Sequence, residues 1–233
     1  MNSRLEPFGP EIWIAEGPVV PFYSFPYPTR MALIRLGGGG LFVWSAIALT
    51  PELKAQVDSL GAVKHIVSPN AIHHLFMGDW KAAYPDARLY ASPGLVQKRR
   101  DLTFDATLGD APEPGWAADI EQVAMLGSRA LTEIVFHHRL SRTAIFADLI
   151  ENFRPDWFTG WRAIAARLDG IVIPNGGAPR EWRWSFWNRK AARAALARIL
   201  AWQPEQVVIA HGEMTRHDGT SFIRRSFRWL AHS

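Results

Sequence analysis

Short apolar runs separated by polar, proline- or glycine-bearing turns dominate this chain, and most are too short to be helices. Ile12-Trp13-Ile14 reads as a first strand, followed by a loop rich in proline and aromatic residues from Pro18 to Pro28. Met31 to Leu36 and Leu41 to Trp44 flank Gly37-Gly38-Gly39-Gly40, the pattern of a β-hairpin. The glycine run lacks the Lys-Ser/Thr and the helix of a phosphate loop, so it reads as a turn. Val63 to Val67, Leu89 to Ala91, Val123 to Leu126, Glu133 to His138, Thr143 to Ala147 and Gln206 to Ala210 predict further strands.

Helices are signalled by their ends. Thr50-Pro51-Glu52 places a hydroxyl cap before a proline at the first helical position, and Leu53, Val57 and Leu60 continue one face. Asn70 is expected to cap a second helix that runs towards Tyr84, and Ser92-Pro93 opens a short third one. Leu102 to Asp119 reads as a long loop. Asn188 to Trp202 carries an apolar stripe at Ala192, Ala195, Leu196, Ile199 and Leu200, and Asp218-Gly219-Thr220 leads into a last helix. This order predicts an α/β (α+β) fold, a four-layer αββα sandwich of two mixed β-sheets flanked by helices, as one domain over 1–233.

Composition narrows the function classes. With 48% apolar and 21% charged residues over 233 positions, the chain can bury one sizeable core. A net charge of +4 is mild, and Lys98-Arg99-Arg100 and Arg224-Arg225 are too short to mark a nucleic-acid site. The absence of Cys excludes disulfides, thiolate zinc sites and a thiol nucleophile. Met1 to Gly17 lacks the pattern of a secretory signal, and no run reaches the roughly 18 apolar residues of a transmembrane segment. A cytoplasmic location is the expectation.

Three strand-like runs lead into residues that bind metals. The Val63 run passes through Ser68-Pro69-Asn70 to His73-His74, the Thr143 run ends on Asp148, and the Gln206 run ends on His211-Gly212. Ligands in α/β folds gather at the carboxyl ends of strands, so three imidazoles and a carboxylate are expected to converge on one zinc or iron ion. His73 and His74 would lie in the first turn of a helix, whose dipole keeps imidazoles neutral. Asp148 is costly in an apolar run unless it is paired or meets a cation, with backbone N–H groups or Arg142 as the alternative partners. His137 and His138 alternate on a strand, so at most one should point inward; His65, His217 and His232 are expected to face solvent.

The opening strand and hairpin, the His pair after a strand, the strand ending in Asp and the terminal Ala210-His211-Gly212 resemble the metallo-β-lactamase-fold superfamily over nearly the whole chain. Phe25 to Met31, Ser68 to Phe76 and Ile209 to Glu213 are similar to an uncharacterised branch of it, a domain of unknown function. The superfamily's ligand motif reads His-x-His-x-Asp-His. Ended on His74, it puts Pro69 and Ala71 where the first two histidines stand and His73 where the Asp stands. Gly127-Ser128 replaces the third histidine of that first site. The resemblance therefore implies that one metal site is lost and that His73, His74, Asp148 and His211 fill the other.

A segment at about 151–188 holds Trp157, Trp161, Trp182, Trp184 and Trp187. Trp157 and Trp161 are spaced one helical turn apart, while Trp182, Trp184 and Phe186 alternate as on a strand. The segment reads as packing shell, as a pocket wall where Arg180 or Arg183 holds an anionic group, or as an interface, either of a homodimer or with a membrane surface. The expected function is a mononuclear metal-dependent hydrolase of a small ester, lactone or thioester substrate, with Asp79, His137 and His138 as candidates for its general acid. The alternatives are a mononuclear iron redox enzyme and a non-catalytic metal-binding or interaction protein of the same fold.

Overall fold

A computed structural model describes residues 3–231, so His232 lies outside the described residues. The first sheet has the order β1 (Glu6–Gly9), β2 (Ile12–Phe22), β3 (Phe25–Arg35), β4 (Leu41–Trp44), β5 (Val63–Val67), β6 (Arg88–Ala91) and β7 (Ala106–Thr107). Its first four strands are antiparallel neighbours and the last four are parallel. The second sheet joins β8 (Ile120–Met125), β9 (Glu133–His138), β10 (Thr143–Asn152) and β11 (Gln206–Gly212), with β10 and β11 parallel. Both sheets are mixed, as the alternation of strands and helices predicts.

The period-2 pattern assigns the layers. Phe42 and Trp44, with Ile145, Ala147, Val208 and Ala210 opposite them, fill the space between the sheets. Their neighbours in sequence face outward. Leu41 and Val43 pack beneath α1 (Pro51–Leu60) and α2 (Met77–Ala83), together with Leu53, Val57 and Trp80. Ala144, Phe146, Val207 and Ile209 are covered by α6 (Arg189–Ala201), α7 (Gly219–Ser226) and α8 (Arg228–Ala231). Strands buried on both faces explain why so many runs read as continuously apolar. The short α3 (Leu95–Lys98), α4 (Trp161–Asp169) and α5 (Arg180–Ser185) complete the helices.

Several local expectations change. The segment from Pro18 to Pro28 is not a loop but a two-stranded ribbon, pairing Val19 with Pro28 and Pro21 with Pro26. Beyond the short β1 that ribbon has free edges, where prolines without an N–H are tolerated. Trp182 and Trp184 lie on the helix α5 rather than on a strand, and only Trp161 of the spaced Trp pair is helical. Asn70 accepts the N–H groups of Ile72 and His73 at 2.9 and 3.3 Å, but it caps a turn, since α2 begins only at Met77. His73 and His74 therefore sit on a loop, and no helix dipole acts on them.

His65, His137 and His138 are all buried, contrary to expectation, because both faces of each sheet are covered. His65 packs edge-on against Trp116, and His137 stacks on Trp202 at 5.1 Å and 8°. Burial, followed by nearby cations (Arg88 for His65, Arg139 for His137), pulls each of these two rings down from 6.5 to about 4. The unfolded chain then takes up protons that the fold refuses. Stability is accordingly full above pH 6.5 and falls between pH 6.5 and 4, by up to about 1.4 kcal/mol per pH unit for each ring. Urea midpoints across that window check this, and His65→Gln with His137→Gln should flatten the slope.

Candidate metal centre

Strand β10 carries the carboxylate of the site through an irregularity. Its pairing with β9 ends at Ile145, and its register with β11 shifts between Phe146 and Glu151. The N–H groups of Ala147, Asp148 and Leu149 thus lack a ladder partner. The buried Glu133, first residue of β9, accepts all three, at 2.8, 2.8 and 3.2 Å. This local reshaping breaks the in–out alternation and turns Asp148 towards the gap between the sheets. Asp148 does not pair with Arg142, which bonds Glu205 and the Gln203 carbonyl.

Two imidazoles meet Asp148. His73 Nε2 lies 3.3 Å from Asp148 Oδ2, and His211 Nε2 lies 3.3 Å from Asp148 Oδ1. Ligand atoms from the three residues all lie within 4.8 Å of one another, so the group could hold a metal ion. Supporting groups orient each one. His211 Nδ1 lies 2.8 Å from the Pro28 carbonyl, which can only accept, so Nδ1 carries the proton and the Nε2 lone pair faces Asp148. His73 Nδ1 contacts Ser45 Oγ at 2.7 Å, and Asn70 Nδ2 donates to Asp148 Oδ2 at 2.6 Å. Outer partners of this kind fix the tautomers of metal-binding histidines.

The donor set passes a test of fit. His73 Nε2 is buried, has no hydrogen-bond partner, and faces a carboxylate. Burial depresses the His211 pKa, whereas for His73 the opposing pull of burial is outweighed by the Asp148 charge and its contact. Asp148 itself is held far below the usual carboxylate range, since the two imidazoles override its burial. The His211 lone pair, a second imidazole that offers its own once it gives up its proton, and an ionised carboxylate make one buried donor set of the kind a divalent cation takes.

His74, expected as a fourth ligand, is not among the converging atoms. Its Nδ1 lies 3.2 Å from an Arg99 nitrogen that also donates to the His74 carbonyl at 2.8 Å. Burial and then the charges of Lys98 and Arg99 lower its pKa to about 4. Pro69 and Ala71, aligned by the resemblance with two histidines, present carbonyls: that of Pro69 accepts from Ile134 at 2.8 Å, and that of Ala71 accepts from Lys98 at 2.9 Å.

The three residues line a cavity of about 200 Å³ together with Tyr27, Glu151 and Trp182. Glu151 was missed in the sequence. Tyr27 donates to its Oε2 at 3.1 Å, and burial, then the Asp148 charge, raise its pKa well above that of a free carboxyl. Asp79, His137 and His138, the expected acids, do not line this cavity. Arg30 is a further residue that the pattern did not reveal. Buried in β3, it donates to the carbonyls of Ile209 and, at 2.9 Å, Gly212, and so fixes the end of β11 on either side of His211. Glu16 holds its Nε at 2.6 Å. Glu133 and Glu151 did leave a signal, as carboxylates inside apolar runs that must find partners.

Solved structures share this fold. The DIM-1 metallo-β-lactamase exposed to ceftazidime aligns with a TM-score of 0.66 at 14% identity, covering 99% of this chain and 97% of that one. A metallo-β-lactamase from Hirschia baltica aligns at 0.63 and 14%, covering 99% and 98%. The metallo-β-lactamase FIM-1 from Pseudomonas aeruginosa, in its mono-zinc form, aligns at 0.66 and 12%, covering 99% and 96%. No curated protein matches the sequence. The chain thus has the metallo-β-lactamase fold, and with residues 11–158 matching the family described as Domain of unknown function (DUF4336), it belongs to that family.

Proposed function

We propose that the protein is a single-metal hydrolase of a small ester, lactone or thioester, with His73, Asp148 and His211 as the ligands. One observation carries this reading: the buried His73 Nε2 has no hydrogen-bond partner and faces Asp148 across from the His211 lone pair. Three protein ligands, rather than the four expected from sequence, leave a zinc ion a position for substrate or water. When bound, a divalent ion supplies Lewis acidity, which polarises a substrate oxygen and acidifies water. The FIM-1 neighbour has a mono-zinc form, so the fold accommodates a single ion.

The chain's own groups do the rest. Ser45, Pro28 and Asn70 hold the three ligands in orientation. Tyr27 engages one Glu151 oxygen, which leaves the other to hand a proton to a leaving group. Tyr27 also lies edge-on to the His211 ring at 5.0 Å, so substrate, ligand and acid share one wall. The test is turnover of an ester, lactone and thioester panel by loaded and chelated protein. Metal-dependent hydrolysis that falls at least about 100-fold in Glu151→Gln supports the reading. Turnover that survives chelation and the loss of His73 would sink it.

Arg30→Met should lower metal affinity about 10–100-fold, as loss of a residue that orients a ligand does, because the His211 backbone is released. Titration with a competing chelator measures this. A second reading has its own support: two histidines and one carboxylate are also the donor set of mononuclear iron oxygenases. Preference for ferrous iron over zinc, with oxygen consumption and no hydrolysis, would favour it.

A further inference from the structure

Helix α4 reverses the usual arrangement of a surface helix. Its buried side chain is the small Ala166, whereas Trp161, Ile164 and Leu168 are 58%, 62% and 60% exposed. Spaced at i, i+3 and i+7, the three large side chains form one outward stripe, with Arg162 and Arg167 on its two flanks. The ribbon turn lies beside it, since Arg162 Nε donates to the Ser24 carbonyl at 2.8 Å and Trp161 packs 5.3 Å from Phe25. Tyr23 at that turn is 87% exposed, and Trp184 on α5 is 73% exposed.

Part of this face borders a cavity. Tyr23, Leu168 and Trp184 line a cavity of about 760 Å³ that shares the walls Phe22, Tyr27, Ile72, Lys98, Glu181 and Trp182 with the metal-site cavity. Single exposed apolar side chains are ordinary, but an outward helical stripe of them beside a cavity marks a docking surface. The charge along the stripe and the cavity wall selects the occupant. Lys98, Arg162, Arg167 and Arg180 outnumber the carboxylates Asp169 and Glu181, and Asp169 is engaged by the Arg180 backbone N–H at 2.7 Å. A second copy docking by the same face would set cations against cations. An anionic lipid surface complements both the arginines and the Trp-rich apolar stripe.

We propose that this face docks onto an anionic lipid surface, with the larger cavity opening onto it to admit the apolar part of a lipid-like molecule. No metal and no turnover are needed for the docking, so it stands or falls apart from the hydrolase reading. Among the described residues no helix is long and apolar enough to cross a membrane, so the contact is peripheral.

The test is co-sedimentation of the protein with vesicles of equimolar phosphatidylglycerol and phosphatidylcholine, and with phosphatidylcholine alone. Binding to the anionic vesicles alone is expected. Ile164→Glu combined with Leu168→Glu should weaken it about tenfold or more, and Arg167→Glu about fivefold to tenfold. Thermal unfolding should be unchanged, since all three side chains are exposed. No binding by the wild type, equal binding to both vesicle types, or unaltered binding by the variants would each overturn the proposal. So would a lipid-independent dimer that Ile164→Glu with Leu168→Glu converts to monomer, for the occupant would then be a second copy.

Discussion

Protein prepared with zinc or ferrous iron should retain about one ion per chain, and His73→Ala, Asp148→Asn and His211→Ala should each abolish that retention. The effect should exceed the roughly 10–100-fold loss that follows removal of a supporting residue, because each variant removes a donor atom outright. His74→Ala should keep the ion, because the His74 ring faces Arg99 and not the cluster. That contrast between neighbours is the sharpest consequence of the structure, since the sequence gives both histidines the same standing. Asp148→Asn keeps the side-chain shape, so lost metal there reports charge and coordination rather than misfolding. Elemental analysis of gel-filtered protein measures all four variants.

The second large effect is on stability. Glu133→Ala should cost about 3–5 kcal/mol, because it strands three buried N–H groups and removes one of the two carboxylates to which the Asn70 amide donates. Glu133→Gln keeps one acceptor oxygen and should cost less, about 1–3 kcal/mol. Glu133 is fully buried, and burial, then the Asp148 charge, raises its pKa while the backbone donors oppose that rise. Urea unfolding of chelated protein separates this cost from any effect of metal. A loss under about 1 kcal/mol for Glu133→Ala would show that the backbone at 147–149 finds other partners.

The fold was legible because both sheets are covered on both faces. Continuous apolar runs such as Thr143 to Ala147, with a helix stripe such as Ala192 to Ile199, fix a layered core by side-chain period alone. The convergence of His73, Asp148 and His211, the three proposed donors, was legible for a related reason: a carboxylate or imidazole ending an apolar run has few other uses. What could not be read was orientation. His74 differs from His73 only in which way a loop turns, and that is set by Asn70, Ser68 and Arg99. Glu133 lies fifteen residues before Asp148 in sequence, and its role exists only because β9 ends where β10 continues. The Pro18 to Pro28 ribbon was hidden by its prolines, which argue against a central strand but not against a ribbon with free edges.

Anomalous scattering from crystals grown with zinc tests the proposed three-donor centre most directly. The predicted result is one peak at roughly 2.0–2.2 Å from His73 Nε2, His211 Nε2 and an Asp148 carboxylate oxygen, with His74 uncoordinated. A peak that takes His74 as a ligand, or none between the two imidazoles, would contradict it.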